Sequence, residues 1–250
     1  MVIMKFPSFY RPKKTLQITK NYALNDKLTW RVVCLALITS FSAQSYSQTL
    51  LEQFQETKNW KMVGQVEDKQ GKKELSVIAD GHNILINGTD EKNSHAPYLK
   101  TLESYGDLSL KMEFMIPKNG NSGVYFMGRY EIQILDSHGN NNWNFNSLGG
   151  LYQRWIDDKG FEGVAAKVNA AKPAGEWQTM EVVFRAPRFD ADGTKISHAE
   201  FIKVLINGQL AHKNQQAKGP TRSAIFNDES EAGPVVIQGD HGPIAIRSLT

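Results

Sequence analysis

The 250-residue chain has a single cysteine, Cys34. No intramolecular disulfide can form, and a thiolate zinc cluster is excluded, so any metal would have to be held by histidine and carboxylate. Proline is sparse at nine residues and glycine numbers 20, which excludes collagen-like and low-complexity chains. No apolar run is long enough to span a bilayer comfortably, and no internal repeat is present. A basic excess is missing too, once charge is followed along the chain. Residues 1–47 hold seven Lys or Arg against Asp26, so the formal charge of +3 becomes about −3 over the remainder, with 22 bases against 25 acids. A nucleic-acid binder would carry a basic face; here the basic residues sit in the segment read below as removable.

That segment has the three parts of a secretory leader. A short apolar run over residues 32–41 follows Lys27 and Arg31 and precedes the small residues Ser42, Ala43, Ser45 and Ser47, with cleavage expected before Tyr46 or Gln48. No lipid-attachment box surrounds Cys34. The basic stretch from Lys5 to Lys20 is long for a signal peptide and leaves open a later start codon or an amino-terminal anchor. The expectation is export to the periplasm or exterior, with no stable membrane insertion of the mature chain. Residues 1–47 are the extension and residues 48–250 one domain.

What fills that domain is β pattern. Short β-rich runs separated by turn residues recur at 75–78, 84–86, 106–116, 123–127, 130–135, 177–184, 201–206, 235–238 and 244–246, and helix-period patterns are scarce. Ile86-Asn87-Gly88 and Ile206-Asn207-Gly208 both carry the Asn-Gly dipeptide of a type I′ hairpin. Leu108, Leu110, Met112 and Phe114 alternate with Ser109, Lys111 and Glu113, one face for a core and one for water or a groove. These features predict two packed antiparallel sheets, a sandwich or jelly roll, with a closed barrel as the alternative.

The chemically richest stretch is Arg129-Tyr130-Glu131-Ile132-Gln133-Ile134-Leu135-Asp136-Ser137-His138. In a regular strand Glu131 and Gln133 share one face and Asp136 takes the other. One β-bulge near Leu135 would swing Asp136 onto the face of Glu131 and Gln133 and make a polar floor. The alternation also suits a solvent-facing edge strand. The mixture of acid, amide, imidazole and guanidinium within ten residues points instead to a site. The spacing of Glu131, Gln133 and Asp136 resembles the bulged strand of laminarinase-type β-glucanases. Two departures count against a retaining glucanase: the middle residue is an amide, and Asp136 is one methylene shorter than Glu, which disturbs the spacing of about 5 Å that two retaining carboxyls need.

Six segments taken in order resemble the 3-keto-disaccharide hydrolase family. They are residues 106–114, 120–125, 130–137, 172–177, 184–190 and 238–242, spanning about Trp60 to Arg247. The resemblance implies a concanavalin A-like jelly roll acting on a glycoside already oxidised at C3. The ketone acidifies the C2 hydrogen, so a base removes it, the enolate expels the aglycone from C1, and water then adds. Such a site requires a base, an enolate stabiliser and a proton source. On this resemblance Glu131 or His138 is the base, Asp136 its partner or the leaving-group acid, Gln133 a hydrogen-bond donor to sugar, and Arg129 or Lys167 the stabiliser. Asn121, Tyr152 and His241 complete the substrate contacts.

No cofactor is indicated. A divalent ion on Asp136, His138 and His241 is left open, although no His-x-His or Glu-x-x-His spacing occurs. Asp190-Ala191-Asp192-Gly193 lacks the later glutamate of a calcium loop and reads as a hairpin turn. Arg185 and Arg188 read as structural, and His82, His95, His198 and His212 as exposed. Trp143, Tyr152 and Trp155 suit either sugar stacking or loop anchoring. The expected partner is an oligosaccharide or glycoside. A non-catalytic lectin-like module and a laminarinase-type β-glucanase are the competing functions, since fold alone does not decide.

Overall fold

A computed structural model of the chain describes Phe54 and residues 60–88 and 98–250. The leader, Cys34 and His95 lie outside the described residues. Among those described there is no helix; the chain runs through β1 (Lys61–Asp68), β2 (Leu75–Ile86), β3 (Leu99–Lys100), β4 (Leu108–Met115), β5 (Asn121–Phe126), β6 (Tyr130–Leu135), β7 (Arg154–Ile156), β8 (Lys159–Phe161), β9 (Gln178–Arg185), β10 (Arg188–Phe189), β11 (Lys195–Ser197), β12 (Ala199–Ile206), β13 (Gln209–Ala217), β14 (Val236–Ile237) and β15 (Ala245–Leu249). A seven-stranded sheet has the order β1-β2-β15-β4-β9-β12-β13 and a four-stranded sheet the order β3-β14-β5-β6. Every pairing in them is antiparallel. The fold is the expected concanavalin A-like jelly-roll sandwich.

The core lies between the sheets and follows from strand alternation. Leu110, Met112 and Phe114 of β4 and Met180, Val182 and Phe184 of β9 face Val124 and Phe126 of β5 and Tyr130, Ile132 and Ile134 of β6. Phe126 packs 5.2 Å from both Phe184 and Phe201, edge-on to the latter. Each such ring contributes roughly 1.5–3 kcal/mol by leaving water. Since β5 and β6 give their even-numbered residues to this core, their odd-numbered residues, from Asn121 to Gln133, project from the opposite face.

Three local expectations are corrected. The strand runs 75–78 and 84–86 are one continuous strand, β2, which crosses β1 through a register shift beside Gly64. Asn87 forms no hairpin: it is fully buried, its Nδ2 donates to the carbonyls of Gly239 at 2.9 Å and Gly242 at 3.0 Å, and its Oδ1 accepts from the Ile244 amide at 2.7 Å. Short polar side chains suit a turn and suit equally the bracketing of a distant loop. His212 is not exposed: it fills a core-facing place on β13, and its Nε2–H donates to the Gly149 carbonyl at 2.8 Å. Asn207-Gly208 does make its turn, with φ of 49° and 78°, and joins Ile206 to Gln209.

Candidate active site

The expected bulge is absent. β5 and β6 pair in unbroken register from Asn121↔Leu135 to Phe126↔Tyr130, so Asp136 keeps the parity of Ile132 and Ile134 and turns away from Glu131. Its carboxylate takes the Lys118 ammonium at 2.9 Å and the Asn119 amide at 3.0 Å. Exposed His138 donates from Nδ1 to the Ala171 carbonyl at 2.9 Å. Both residues line a separate recess with Asp68 and Lys118. Neither residue stands with Glu131, and Asp136 and His138 do not meet His241, so the divalent-ion set considered from sequence does not converge.

Glu131 occupies a recess of about 180 Å³ with Asn121, Tyr125, Gln133, Tyr152 and Arg222, joined by Ser223, Gln238 and His241. The sequence-predicted residues brought together are therefore Glu131, Asn121, Gln133, Tyr152 and His241. Arg129 is not among them. It is buried in the turn before β6, where it donates to the Asp228 carbonyl at 2.6 Å, the Asp228 carboxylate at 2.8 Å and the Met127 carbonyl at 2.8 Å. Its guanidinium lies over Phe226, so it fastens the loop that carries Arg222. Lys167 is exposed and bonds through its backbone amide to Ala211, away from the recess.

The sheet itself builds the floor. Tyr125 stands directly across from Glu131, and Gln133 across from Gly123. The Gln238 amide extends the same ladder to the Gly123 carbonyl at 2.9 Å. The outer edge of β6 is not left to water, because Tyr152 donates its amide to the Glu131 carbonyl at 3.0 Å and Gly149 donates to Gln133 at 2.8 Å. That is why Glu131 and Gln133, on the face away from the core, are only 2% and 3% exposed, and why the solvent-facing edge-strand alternative fails.

The Glu131 carboxyl leans over Gly123, where a Cβ would overlap its Oε1. Burial pushes its pKa up to about 8 against a hydrogen bond from the Tyr125 hydroxyl, which favours the charged form, and nearby Asp240 raises it further. A carboxyl poised there changes protonation near neutral pH and suits general-base work. Tyr125 in turn is held protonated, chiefly by its own burial and then by the Glu131 charge.

The walls supply hydrogen-bonding groups. The Gln133 Nε2 donates to Asn121 Oδ1 at 2.9 Å and Asn146 Oδ1 at 3.0 Å, which consumes both amide hydrogens and corrects the expectation that it donates to sugar: its oxygen is the group left for a ligand. Gln238 donates to the Tyr98 hydroxyl at 3.3 Å, and its own Oε1 is buried without a partner. Tyr98 stacks on Tyr125 at 5.8 Å. His241 donates from Nδ1 to Asp240 at 2.6 Å, which turns Nε2 into the free nitrogen. Arg222 lies 3.9 Å over the Trp155 ring and reaches the Tyr152 hydroxyl.

Of the loop aromatics, Trp143 anchors its loop by donating to the Ala166 carbonyl at 2.8 Å, and Tyr152 lines the recess. Arg188 pairs with Asp107 at 2.6 Å and Arg185 pairs with Glu200, both structural. Tyr98, Tyr125, Arg222, Ser223 and Gln238 were missed by sequence reasoning. Tyr125 was reachable, since odd-numbered parity on β5 sets it beside Glu131; Arg222 and Ser223 sit in a patternless segment.

Fold and recess together define a jelly-roll domain whose four-stranded sheet carries a buried carboxylate under a polar cleft. The model of the 3-keto-alpha-glucoside-1,2-lyase-like domain matches residues 51–250, and the chain belongs to that family. No match is found among curated proteins. A candidate glycosyl hydrolase from Parabacteroides distasonis is similar at 22% identity over 78% of each chain, with a TM-score of 0.54, and shares the fold. A second one from the same organism is 19% identical over 69% of this chain and 88% of its own, with a TM-score of 0.45. The carbohydrate-binding module CBM66 from Bacillus subtilis is 11% identical over 77% and 94%, with a TM-score of 0.37.

Proposed function

We propose that the protein cleaves 3-keto-glycosides by elimination across C1 and C2 followed by hydration. The observation that carries this reading is the Glu131 carboxyl, buried in a polar recess with its pKa near 8; membership of the lyase-like family supplies the substrate class. The Glu131 carboxylate takes the C2 proton, and the electron pair moves through C3 onto the ketone oxygen. Arg222, held over the Trp155 ring, faces the developing enolate charge. The enolate then re-forms its carbonyl and expels the C1 oxygen, which takes back the proton that the Glu131 carboxyl received from C2, while His241, oriented by Asp240, offers its Nε2 as an acceptor to a sugar hydroxyl. Water adds to C1 of the resulting enone to give the free 3-keto sugar. Asn121, Gln133 and Gln238 hold ring hydroxyls. No oxocarbenium ion and no second carboxylate at glucanase spacing is required, which is consistent with Asp136 lying elsewhere.

Incubation of pure protein with 3-keto-trehalose tests the reading. Release of 3-keto-glucose is expected, with turnover rising with pH up to about 8 as Glu131 ionises. Saturable binding without product would favour the lectin-like alternative and overturn it.

A further inference from the structure

A carboxylate taken out of water depends on the strength and aim of the donors left to it. For Glu131 that donor is Tyr125, which stands across the ladder and gives the carboxyl a hydroxyl hydrogen bond. The same hydroxyl lies 3.4 Å from the Arg222 carbonyl. Behind it, half-buried Tyr98 stacks on the Tyr125 ring, with centroids 5.8 Å apart and planes at 25°, and the two hydroxyls are hydrogen-bonded. Tyr98 is not part of the recess lining. The Gln238 Nε2–H donates to the Tyr98 oxygen at 3.3 Å. Gln238 is itself clamped to β5: its amide donates to the Gly123 carbonyl at 2.9 Å, and its carbonyl accepts from the Ser122 hydroxyl at 2.8 Å.

These contacts fix a direction. An amide N–H only donates, so the Tyr98 oxygen accepts and its proton is left for the Tyr125 oxygen, which leaves the Tyr125 proton for Glu131. Burial keeps both phenols protonated. Every member then points a proton toward the carboxylate, and each donor polarises the next. The other charged or titratable groups facing Glu131 are Tyr152 from the segment after β6, Arg222 from the segment after β13, and Asp240 and His241 from the segment after β14; to their fields the chain adds a directed hydrogen bond. We propose that Gln238, Tyr98 and Tyr125 form a positioning chain for the base, in which Tyr98, outside the recess, governs Glu131 through Tyr125. The inference rests on the reading of Glu131 as the group that removes the C2 proton.

Carbon-13 NMR of protein labelled at its glutamate carboxyls, with the Glu131 signal assigned by its loss in Glu131→Gln, tests the chain without turnover. Loss of a donor to the charged form raises the titration midpoint. Tyr125→Phe should move it up by about one unit, tenfold in proton affinity, and Tyr98→Phe by roughly a third of that. With Tyr125→Phe already in place, Tyr98→Phe should add nothing, because its only route to the carboxyl is gone. Gln238→Leu should act like Tyr98→Phe and add nothing to it, and serves where Tyr125→Phe does not fold. The midpoint of the pH–rate profile with 3-keto-trehalose should follow the same order. An unchanged midpoint in Tyr98→Phe, or the same shift with and without the Tyr125 hydroxyl, overturns the chain. Shifts in the expected order from a wild-type protein that releases no product overturn the reaction and leave the chain standing.

Discussion

Glu131 is a carboxyl with almost no water around it and one tyrosine hydroxyl to support its charge, and its raised pKa follows from that imbalance. In the unfolded chain it titrates near 4.5 and in the folded protein near 8. Between those values the folded state keeps a proton that the unfolded state has lost, so stability falls as pH rises through the window. Glu131→Gln removes that fall. The variant should gain on wild type in thermal melting between pH 5 and pH 9 while losing turnover by about 10²–10⁴-fold; a constant melting gap across that range would contradict the assignment. Gly123→Ala should lower turnover by about 10²-fold, because its methyl displaces the carboxyl from its seat and small misplacements of a reacting group are that costly. Asp136→Asn, by contrast, should leave turnover near the wild-type value and cost about 1–3 kcal/mol of stability, since the buried carboxylate takes the Lys118 ammonium and the Asn119 amide. A large loss of activity there would return Asp136 to the site. Sequence singled out Glu131 by its company, but it also gathered Asp136, His138 and Arg129, because proximity along the chain does not say which face a side chain takes.

At the scale of elements, what sequence could not supply was the register. One added residue in β6 would have rotated Asp136 toward Glu131, and only the ladder with β5 shows that none is added. The edge of β6 is likewise invisible in a linear pattern: residues 149–152 pair with it and bury Gln133. Asn87 shows the same limit, since an Asn-Gly pair gives one signal for a turn and another role in space. Its three hydrogen bonds hold the loop that presents Gln238, Asp240 and His241 to the recess. Asn87→Ala leaves two carbonyls and an amide unmatched in a dry place, so denaturant unfolding should show a loss of about 3 kcal/mol, with kcat falling more than KM rises. An unchanged midpoint would show that the loop is held by other means. β13 was missed because its apolar residues are few, and its core place is taken by His212. β4 and β6 were legible because apolar and polar residues alternate along them, and β9 and β12 because they are dense in β-branched and aromatic residues.

For the whole molecule, the sandwich was readable from turn spacing, strand-length apolar runs and the scarcity of helical periodicity, all of which depend on local chemistry. The recess was readable only in part, since it is assembled from β5, β6, β14 and the segments following β6 and β13, with Gly123 and Gln238 meeting across the sheet. Export remains our proposal from the leader; mature protein isolated from the cell exterior or periplasm should begin at Tyr46 or Gln48. The central claim is that bond cleavage starts with removal of the C2 proton by Glu131. The most direct measurement compares cleavage of 3-keto-trehalose deuterated at C2 of the keto ring with cleavage of the unlabelled compound. The account predicts a primary isotope effect and loss of the label to solvent; equal rates with the deuterium retained in the released 3-keto sugar would contradict it.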